Sequence, residues 1–171
     1  FAAKYSVGTV FRDWQELVMC NLVDVVYIGV PNHLHMPVAV AAMECGKDVV
    51  CEKPMARSVD EAATMLRKSR DTDRKLFVAL NHRFMPQNQK VMQALETGAI
   101  GKPFLAVSTF IGNEFDRMND PANLKGGKQM CGGGALIDIG THMIDLLRWW
   151  FGDVVAVNAR CGRIGISAEN K

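Results

Sequence analysis

Short apolar segments alternate with helical segments over the amino-terminal part of this chain, and the alternation constrains its fold. Predicted strands cover residues 23–30, 48–51 and 75–80. Predicted helices cover residues 14–20, 37–45 and 58–70, and a fourth ends near Gly98. This order predicts βαβ units around a parallel sheet. Segment 23–30 is almost continuously apolar, which predicts a strand buried on both faces.

Capping residues support these helices. Asp13 is the predicted N-cap of the first helix. Ser58 and Glu61 have the spacing of a capping box, which predicts the start of the third helix.

The pattern changes after Gly101, where we predict a domain boundary. Residues 104–111 and 154–164 are predicted strands, and a polar loop and a glycine-rich helix over 132–151 lie between them. One helix and two strands bury too little surface to form a core of their own. We therefore expect residues 1–101 to belong to one domain and 102–171 to begin another, within an internal segment of a longer enzyme.

Composition narrows the functional classes. The chain has 171 residues, a formal net charge of +2 and no run of Lys or Arg, which argues against a nucleic-acid partner. No apolar run approaches the roughly 18 residues of a membrane span, and no leader peptide is recognisable. The five cysteines are odd in number and lack CxxC spacing. We therefore expect reduced thiols in a cytoplasmic protein.

Polar side chains follow each predicted strand of the sheet. The carboxyl ends of parallel strands share one edge, and open parallel sheets bind ligands there. We therefore expect a cleft at this edge. The residues are, strand by strand, Asn32, His33 and His35; Glu52 and Lys53; and Asn81, His82 and Arg83.

Lys53 is the sharpest candidate in this cleft. Pro54 restricts Lys53 to an extended backbone and is compatible with a cis peptide bond, which would direct the lysine into the cleft. A lysine held there can bind a substrate hydroxyl or carbonyl as a cation. The alternative is that Pro54 only ends the strand and that Lys53 is solvated.

The glycine-rich helix carries a second group of candidates. Asp138, His142 and Asp145 recur at helical spacing on one face, beside an apolar stripe that predicts a mostly covered helix. Imidazole suits proton transfer near neutral pH, and a carboxylate one turn away can orient it. A core histidine held by an aspartate would have the same pattern, so both interpretations stay open.

Two other chemistries are disfavoured. The four histidines are not accompanied by carboxylates or cysteines at metal-ligand spacing, so no metal is predicted. Cys51 is a poor nucleophile candidate because the neighbouring Glu52 carboxylate raises the pKa of its thiol.

Five segments, in this order, resemble the Gfo/Idh/MocA family, the glucose–fructose oxidoreductase and inositol dehydrogenase group. They span nearly the whole chain, and the Glu-Lys-Pro element and the glycine-rich helix are specific in combination. The segments are VPNHLH at 30–35, GKDVVCEKPM at 46–55, NHRF at 81–84, GKP at 101–103 and GGGALIDIGTHMID at 132–145.

The resemblance implies an α/β fold: part of a Rossmann-type parallel sheet, followed by the start of an α+β domain with an open sheet. It implies an NAD- or NADP-dependent oxidoreductase that transfers a hydride reversibly between the nicotinamide and a hydroxyl-bearing carbon of a sugar, inositol or related polyol. The parent enzyme would be a homo-oligomer.

The resemblance also assigns roles to residues. Lys53 would be the catalytic lysine that binds substrate, His142 would exchange the hydroxyl proton, and Asp138 would orient His142. All three would contact the substrate. The residues on the nicotinamide side would be Pro31, Asn32, His35, Glu52 and Arg83.

The chain also departs from the family pattern. The Gly-x-Gly-x-x-Gly turn that would hold the pyrophosphate is absent from these residues, as is the residue that selects NAD or NADP. We therefore expect that this segment alone does not bind the dinucleotide normally. The predicted loop before the glycine-rich helix would shape the substrate pocket, through Glu114, Asp116, Arg117, Asn119 and Lys125.

Three alternatives remain beside the dehydrogenase. One is a glycosidase that retains NAD and oxidises its substrate only transiently. Another is a catalytically idle binding relative, which the presence of Lys53, Asp138 and His142 disfavours. The third, a metal-dependent hydrolase, is the most remote.

Overall fold

The computed structural model describes residues 2–112, 128–160 and 162. The backbone forms two compact units, residues 1–78 and 79–171. The predicted domain boundary near Gly101 concerns the full-length protein and stays a prediction. Cys161 and the five predicted pocket residues of the loop lie outside the described residues.

The first unit contains a three-stranded parallel sheet, as predicted. Its strands are β1 (Val25–Ile28), β2 (Asp48–Cys51) and β3 (Leu76–Val78), in the order β1-β2-β3. The register pairs Val25 with Asp48 and Ile28 with Cys51. β1 and β2 therefore start and end level with each other.

The first unit has three helices: α1 (Trp14–Met19), α2 (His35–Glu44) and α3 (Val59–Thr72). α2 and α3 contact the sheet, and α1 contacts α2. The predicted caps are confirmed, because the Asp13 carboxylate accepts from the Glu16 N–H at 2.9 Å and Ser58 Oγ accepts from the Glu61 N–H at 3.2 Å. Glu61 also accepts from the Arg57 N–H at 2.9 Å. A 3₁₀ turn, Asn32–Leu34, leads from β1 into α2.

The core of the first unit lies on one face of the sheet. It joins the inward side chains of β1 and β2 to α1, α2 and α3, through Val18, Val26, Ile28, Val38, Ala39, Ala42, Met43, Val49, Cys51, Ala56 and Met65. The prediction that the first strand is buried on both faces is wrong. Val25 is 53% exposed and Tyr27 62% exposed, because no described element covers the second face.

In the part of the second unit that the structure describes, the regular elements are helical. A 3₁₀ turn at Asn81–Phe84 leads into α4 (Pro86–Glu96). A short helix, α5 (Lys128–Cys131), precedes a π-helical turn at Leu136–Gly140 and α6 (Thr141–Phe151). The predicted helix is therefore confirmed from Ala135 onward, whereas the three glycines at 132–134 form a bend, and the first helical turn is wider than an α-helical turn.

Two predictions for this part of the chain are wrong. Residues 104–111, and residues 154–160 of the predicted strand 154–164, pair with no described strand and are exposed. A strand needs a neighbour for its backbone hydrogen bonds, which sequence pattern alone does not supply. The prediction of a mostly covered glycine-rich helix holds for α6, in which eight of the eleven residues are buried or half-buried and only Ile144, Arg148 and Phe151 are exposed.

Among the described residues, no helix has the length and apolar character needed to cross a bilayer.

Candidate functional site

The loops after β1 and β2 lie at the same edge of the sheet. Ile28 and Cys51 are paired at the ends of the two strands, so Pro31 and Asn32 on one side and Glu52 and Lys53 on the other follow level strand ends. The predicted cleft-forming residues of the first unit are thus brought to one edge by the parallel register.

Glu52 is anchored at this edge by its neighbours. Its backbone N–H donates to Ile28 O at 2.9 Å, and its carboxylate accepts from the Lys53 N–H at 3.1 Å. The Tyr27 hydroxyl donates to the other carboxylate oxygen. That hydrogen bond, followed by burial, raises the pKa of Tyr27, because it stabilises the neutral phenol.

Lys53 is half-buried, and the peptide bond between Lys53 and Pro54 is cis. The cis bond agrees with the prediction for this dipeptide. Pro54 itself is buried. The lysine therefore sits on a segment embedded in the protein, and not on a solvated strand end.

His35 is 1% exposed, and both of its ring nitrogens face backbone carbonyls. Nδ1 lies 2.8 Å from Pro54 O, and Nε2 lies 2.9 Å from Val30 O. The predicted role of His35 as a cofactor contact stays a prediction. In the structure its polar atoms instead link the loop after β1 to the segment that carries Lys53.

Cys51, at the end of β2, is fully buried. Burial, followed by the nearby Glu52 carboxylate, raises the pKa of its thiol to about 12. The thiol donates to Glu52 O at 3.3 Å. This agrees with the sequence-based argument against a nucleophilic cysteine, although burial contributes more than the carboxylate does.

In the second unit, His142 stacks on His82. The ring centroids are 3.8 Å apart, the planes are inclined by 6°, and His142 is 5% exposed. His82 belongs to the 3₁₀ turn before α4, and Asn88 Nδ2 donates to its carbonyl oxygen at 2.7 Å. The candidate acid/base on α6 is therefore packed against a second imidazole that sequence reasoning did not connect with it.

Arg83 forms a two-pronged ion pair with Asp145. Arg83 Nε donates to Asp145 Oδ2 at 2.7 Å, and Nη2 donates to Oδ1. The guanidinium carbon lies 5.8 Å from the centre of the Trp149 ring, within range of a cation–π contact. Asp145 raises the pKa of Arg83. The predicted cofactor role of Arg83 stays a prediction. In the structure its guanidinium pairs with the Asp145 carboxylate of α6.

Asp138 lies in the π turn, where its N–H donates to Gly134 O at 3.2 Å. The wider turn changes the angular spacing that the α-helical argument used for Asp138 and His142. Both residues lie on one continuous helical run, because α6 follows the π turn directly.

The described residues contain no group of three or more His, Cys, Asp or Glu side chains able to hold a metal ion.

Two family models match the chain. Residues 1–80 match an oxidoreductase family with an NAD-binding Rossmann fold, described as GFO/IDH/MocA. Residues 88–169 match the GFO/IDH/MocA C-terminal domain.

Curated relatives extend over most of the chain. It is 37% identical over 158 residues to a levoglucosan dehydrogenase of Pseudarthrobacter phenanthrenivorans, which covers 92% of this chain and 40% of the relative. It is 31% identical to an NADP-dependent scyllo-inositol 2-dehydrogenase of Bacillus subtilis, with 84% and 44% covered. The chain thus spans about two fifths of the length of these proteins.

Solved structures show the same similarity. An NAD-binding oxidoreductase from Klebsiella pneumoniae has a TM-score of 0.79 at 38% identity, covering 88% of this chain and 40% of that one. A levoglucosan dehydrogenase in complex with NADH and levoglucosan has a TM-score of 0.76 at 33% identity, with 89% and 41% covered.

The buried thiol of Cys51 should resist alkylation. With a pKa of about 12, the thiol is almost entirely protonated at pH 8, and the reactive thiolate forms only as the pH rises toward that value. Exposed Cys45 is the internal control. Iodoacetamide labelling of the native full-length protein, read by mass spectrometry, should modify Cys45 and leave Cys51 intact until unfolding. Equal labelling of both would contradict this assignment.

The Arg83–Asp145 pair should stabilise the protein. Arg83→Gln, Asp145→Asn and the double variant form a thermodynamic cycle, measured by urea unfolding of the full-length protein. We expect a coupling free energy of about 1–2 kcal/mol, because each single variant leaves a charged partner half-buried. Strictly additive effects would show that the contact contributes nothing.

Proposed function

Because the chain belongs to the Gfo/Idh/MocA oxidoreductase family, we propose that the full-length protein is an NAD(P)-dependent dehydrogenase. Its substrate would be a sugar, inositol or related polyol, oxidised at a hydroxyl-bearing carbon. The observation that carries the proposal is the placement of Glu52-Lys53-Pro54. This motif follows a strand of a parallel sheet directly, at the edge where such sheets bind ligands.

The residues at this edge fit the nicotinamide part of a dinucleotide. Pro31, Asn32 and Glu52 follow adjacent strand ends, and we propose them as nicotinamide-side contacts. His35 and Arg83 use their polar side-chain atoms on other parts of the chain, so we propose that they position neighbouring groups. A bound nicotinamide would supply the acceptor for the hydride of the carbinol carbon.

Lys53 would bind the substrate oxygen. A protonated lysine donates hydrogen bonds and is attracted to an oxygen that gains negative charge as its proton leaves. Its half-buried position favours this role, because a partly desolvated cation interacts more strongly with such charge than a solvated one.

His142 would accept the proton of the substrate hydroxyl in the oxidation direction and return it in the reverse direction. An imidazole is suited to this exchange near neutral pH. Packing against His82 restricts the orientation of its ring, and we propose that Asp138 assists its alignment. A general base needs such restriction because proton transfer depends on a narrow geometry.

Three further properties belong to the proposal. The relatives named above act on levoglucosan and on scyllo-inositol, which supports a cyclic polyol or anhydrosugar as substrate. The described cysteines are all free thiols, which supports a cytoplasmic location. The resemblance supports a homo-oligomer.

A substrate screen tests the proposed function. The full-length protein is assayed with levoglucosan, inositols and common aldoses, each with NAD and with NADP, at the absorbance of the reduced nicotinamide. Reduction of one cofactor by a narrow substrate set is the expected result. No reduction, together with NAD retained through purification and cleavage of glycosides, would overturn the proposal in favour of the glycosidase.

Lys53→Met should lower kcat at least about 100-fold, because it removes charge stabilisation that grows in the transition state. The Kd of the dinucleotide should stay within about threefold. Lys75→Met is the matched control, since Lys75 is an exposed lysine just before β3, at the opposite edge of the same sheet. Steady-state kinetics and cofactor titration check both variants. A Lys53→Met enzyme with near-normal turnover would remove this lysine from the mechanism.

His142→Ala should lower kcat and abolish the pH limb of kcat/KM in the imidazole range. Oxidation requires the neutral ring as base, so the parent rate should rise with pH through that range, and the variant should lack this rise. The measurement is a pH profile with saturating cofactor. A variant profile that parallels the parent would assign the limb to another group.

A further inference from the structure

We infer that His35 is a positioning residue for Lys53: through Nδ1 and the Pro54 carbonyl, it fixes the backbone on which the lysine stands. The inference rests on the proposed function, in which Lys53 binds substrate. It assigns His35 a role through the chain itself, and not through contact with the cofactor.

The first support is the burial and pairing of the ring. His35 is 1% exposed, and its two nitrogens lie 2.8 and 2.9 Å from the carbonyl oxygens of Pro54 and Val30. A carbonyl oxygen only accepts hydrogen bonds, so the ring must donate wherever a bond forms. The ring has no further polar atom with which to bind a ligand.

The second support is that Lys53 is bracketed by two links to the end of β1. On its amino-terminal side, the Glu52 N–H donates to Ile28 O at 2.9 Å. On its carboxyl-terminal side, the His35 ring lies between Pro54 O and Val30 O, with one nitrogen facing each carbonyl. The first link continues the sheet ladder. The second depends on one side chain, so it is the link that a substitution can remove.

The third support is the packing of the helix that carries His35. His35 is the first residue of α2, which packs into the core through Val38, Ala39, Ala42 and Met43. A planar ring fixed to a packed helix transmits that rigidity to Pro54 O. Small displacements of a catalytic group reduce rates strongly, so a constraint one residue from Lys53 affects turnover.

Two conservative variants separate the two bonds of the ring. The side-chain nitrogen of Asn is as many bonds from Cα as Nδ1, and that of Gln is as many as Nε2. His35→Asn can therefore keep the donor to Pro54 O, whereas His35→Gln keeps the donor to Val30 O. Each variant keeps a donor at only one of the two ring positions and loses part of the ring packing, so a role that does not depend on Pro54 O predicts equal effects.

The kinetic test uses the full-length enzyme. We expect His35→Gln to lower kcat by about 10- to 100-fold with little change in KM or in the Kd of the dinucleotide. His35→Asn should stay within about threefold of the parent kcat. Equal kcat values for the two variants, or a larger loss for His35→Asn, would overturn the inference. A raised Kd for the dinucleotide in both would point to cofactor contact instead.

A second measurement does not depend on activity. Amide hydrogen exchange over residues 52–56 should be about fivefold or more faster in His35→Gln than in His35→Asn, as expected for one lost hydrogen bond. Exchange within α2 should match between the variants. Equal exchange over 52–56 would overturn the inference even in an active enzyme. If the parent lacks dehydrogenase activity, or if Lys53→Met retains it, the proposed function fails and this measurement still decides the role of His35.

If neither variant folds, the wild-type protein provides the test. Nitrogen-15 NMR of the histidine rings should show a slowly exchanging proton on Nδ1 of His35, the atom that faces Pro54 O. An Nδ1 without a proton would overturn the inference, because the nitrogen could then not donate to the carbonyl.

Discussion

The parallel pairing of β1 with β2 is the constraint on which the first unit depends. Its register places Ile28 beside Cys51, so two loops that are distant in sequence leave the sheet at the same level. The packed side chains behind the strands, including Val26 and Val49, fix that register, because a one-residue slip would turn them to the exposed face. The placement of the Lys53 segment beside the loop after β1 is a consequence of this pairing.

At the edge formed by the ends of β1 and β2, the polar side-chain atoms of Glu52 and His35 lie against backbone groups. Glu52 accepts from the Lys53 N–H, and His35 connects two carbonyls. Buried polar groups must be paired, and pairing them across loops stiffens the loops. A residue of a family motif can therefore act in two ways: it can contact the ligand, or it can position another residue that contacts the ligand.

In the second unit, side-chain contacts hold two helical elements together. A stacked pair of imidazoles and a two-pronged ion pair both connect the 3₁₀ turn before α4 to α6. Stacking of His82 on His142 limits rotation of the His142 ring. The two hydrogen bonds from Arg83 fix both the orientation of its guanidinium and its distance from the Asp145 carboxylate. His82, which packs against the candidate acid/base His142, is therefore the sequence neighbour of Arg83, which the resemblance assigns to the nicotinamide side.

The sequence by itself determined the parallel sheet, the capped helices and the positions of Lys53 and His142, because these follow from short-range periodicity, caps and motifs. Tertiary structure alone decided that β1 is buried on one face, that His35 reaches Pro54 O, and that Arg83 pairs with Asp145 across 62 positions. It also decided the π turn and the failure of residues 104–111 to form a strand. The physical reason is that burial, ladder pairing and side-chain contacts depend on distant partners, which a local pattern does not specify.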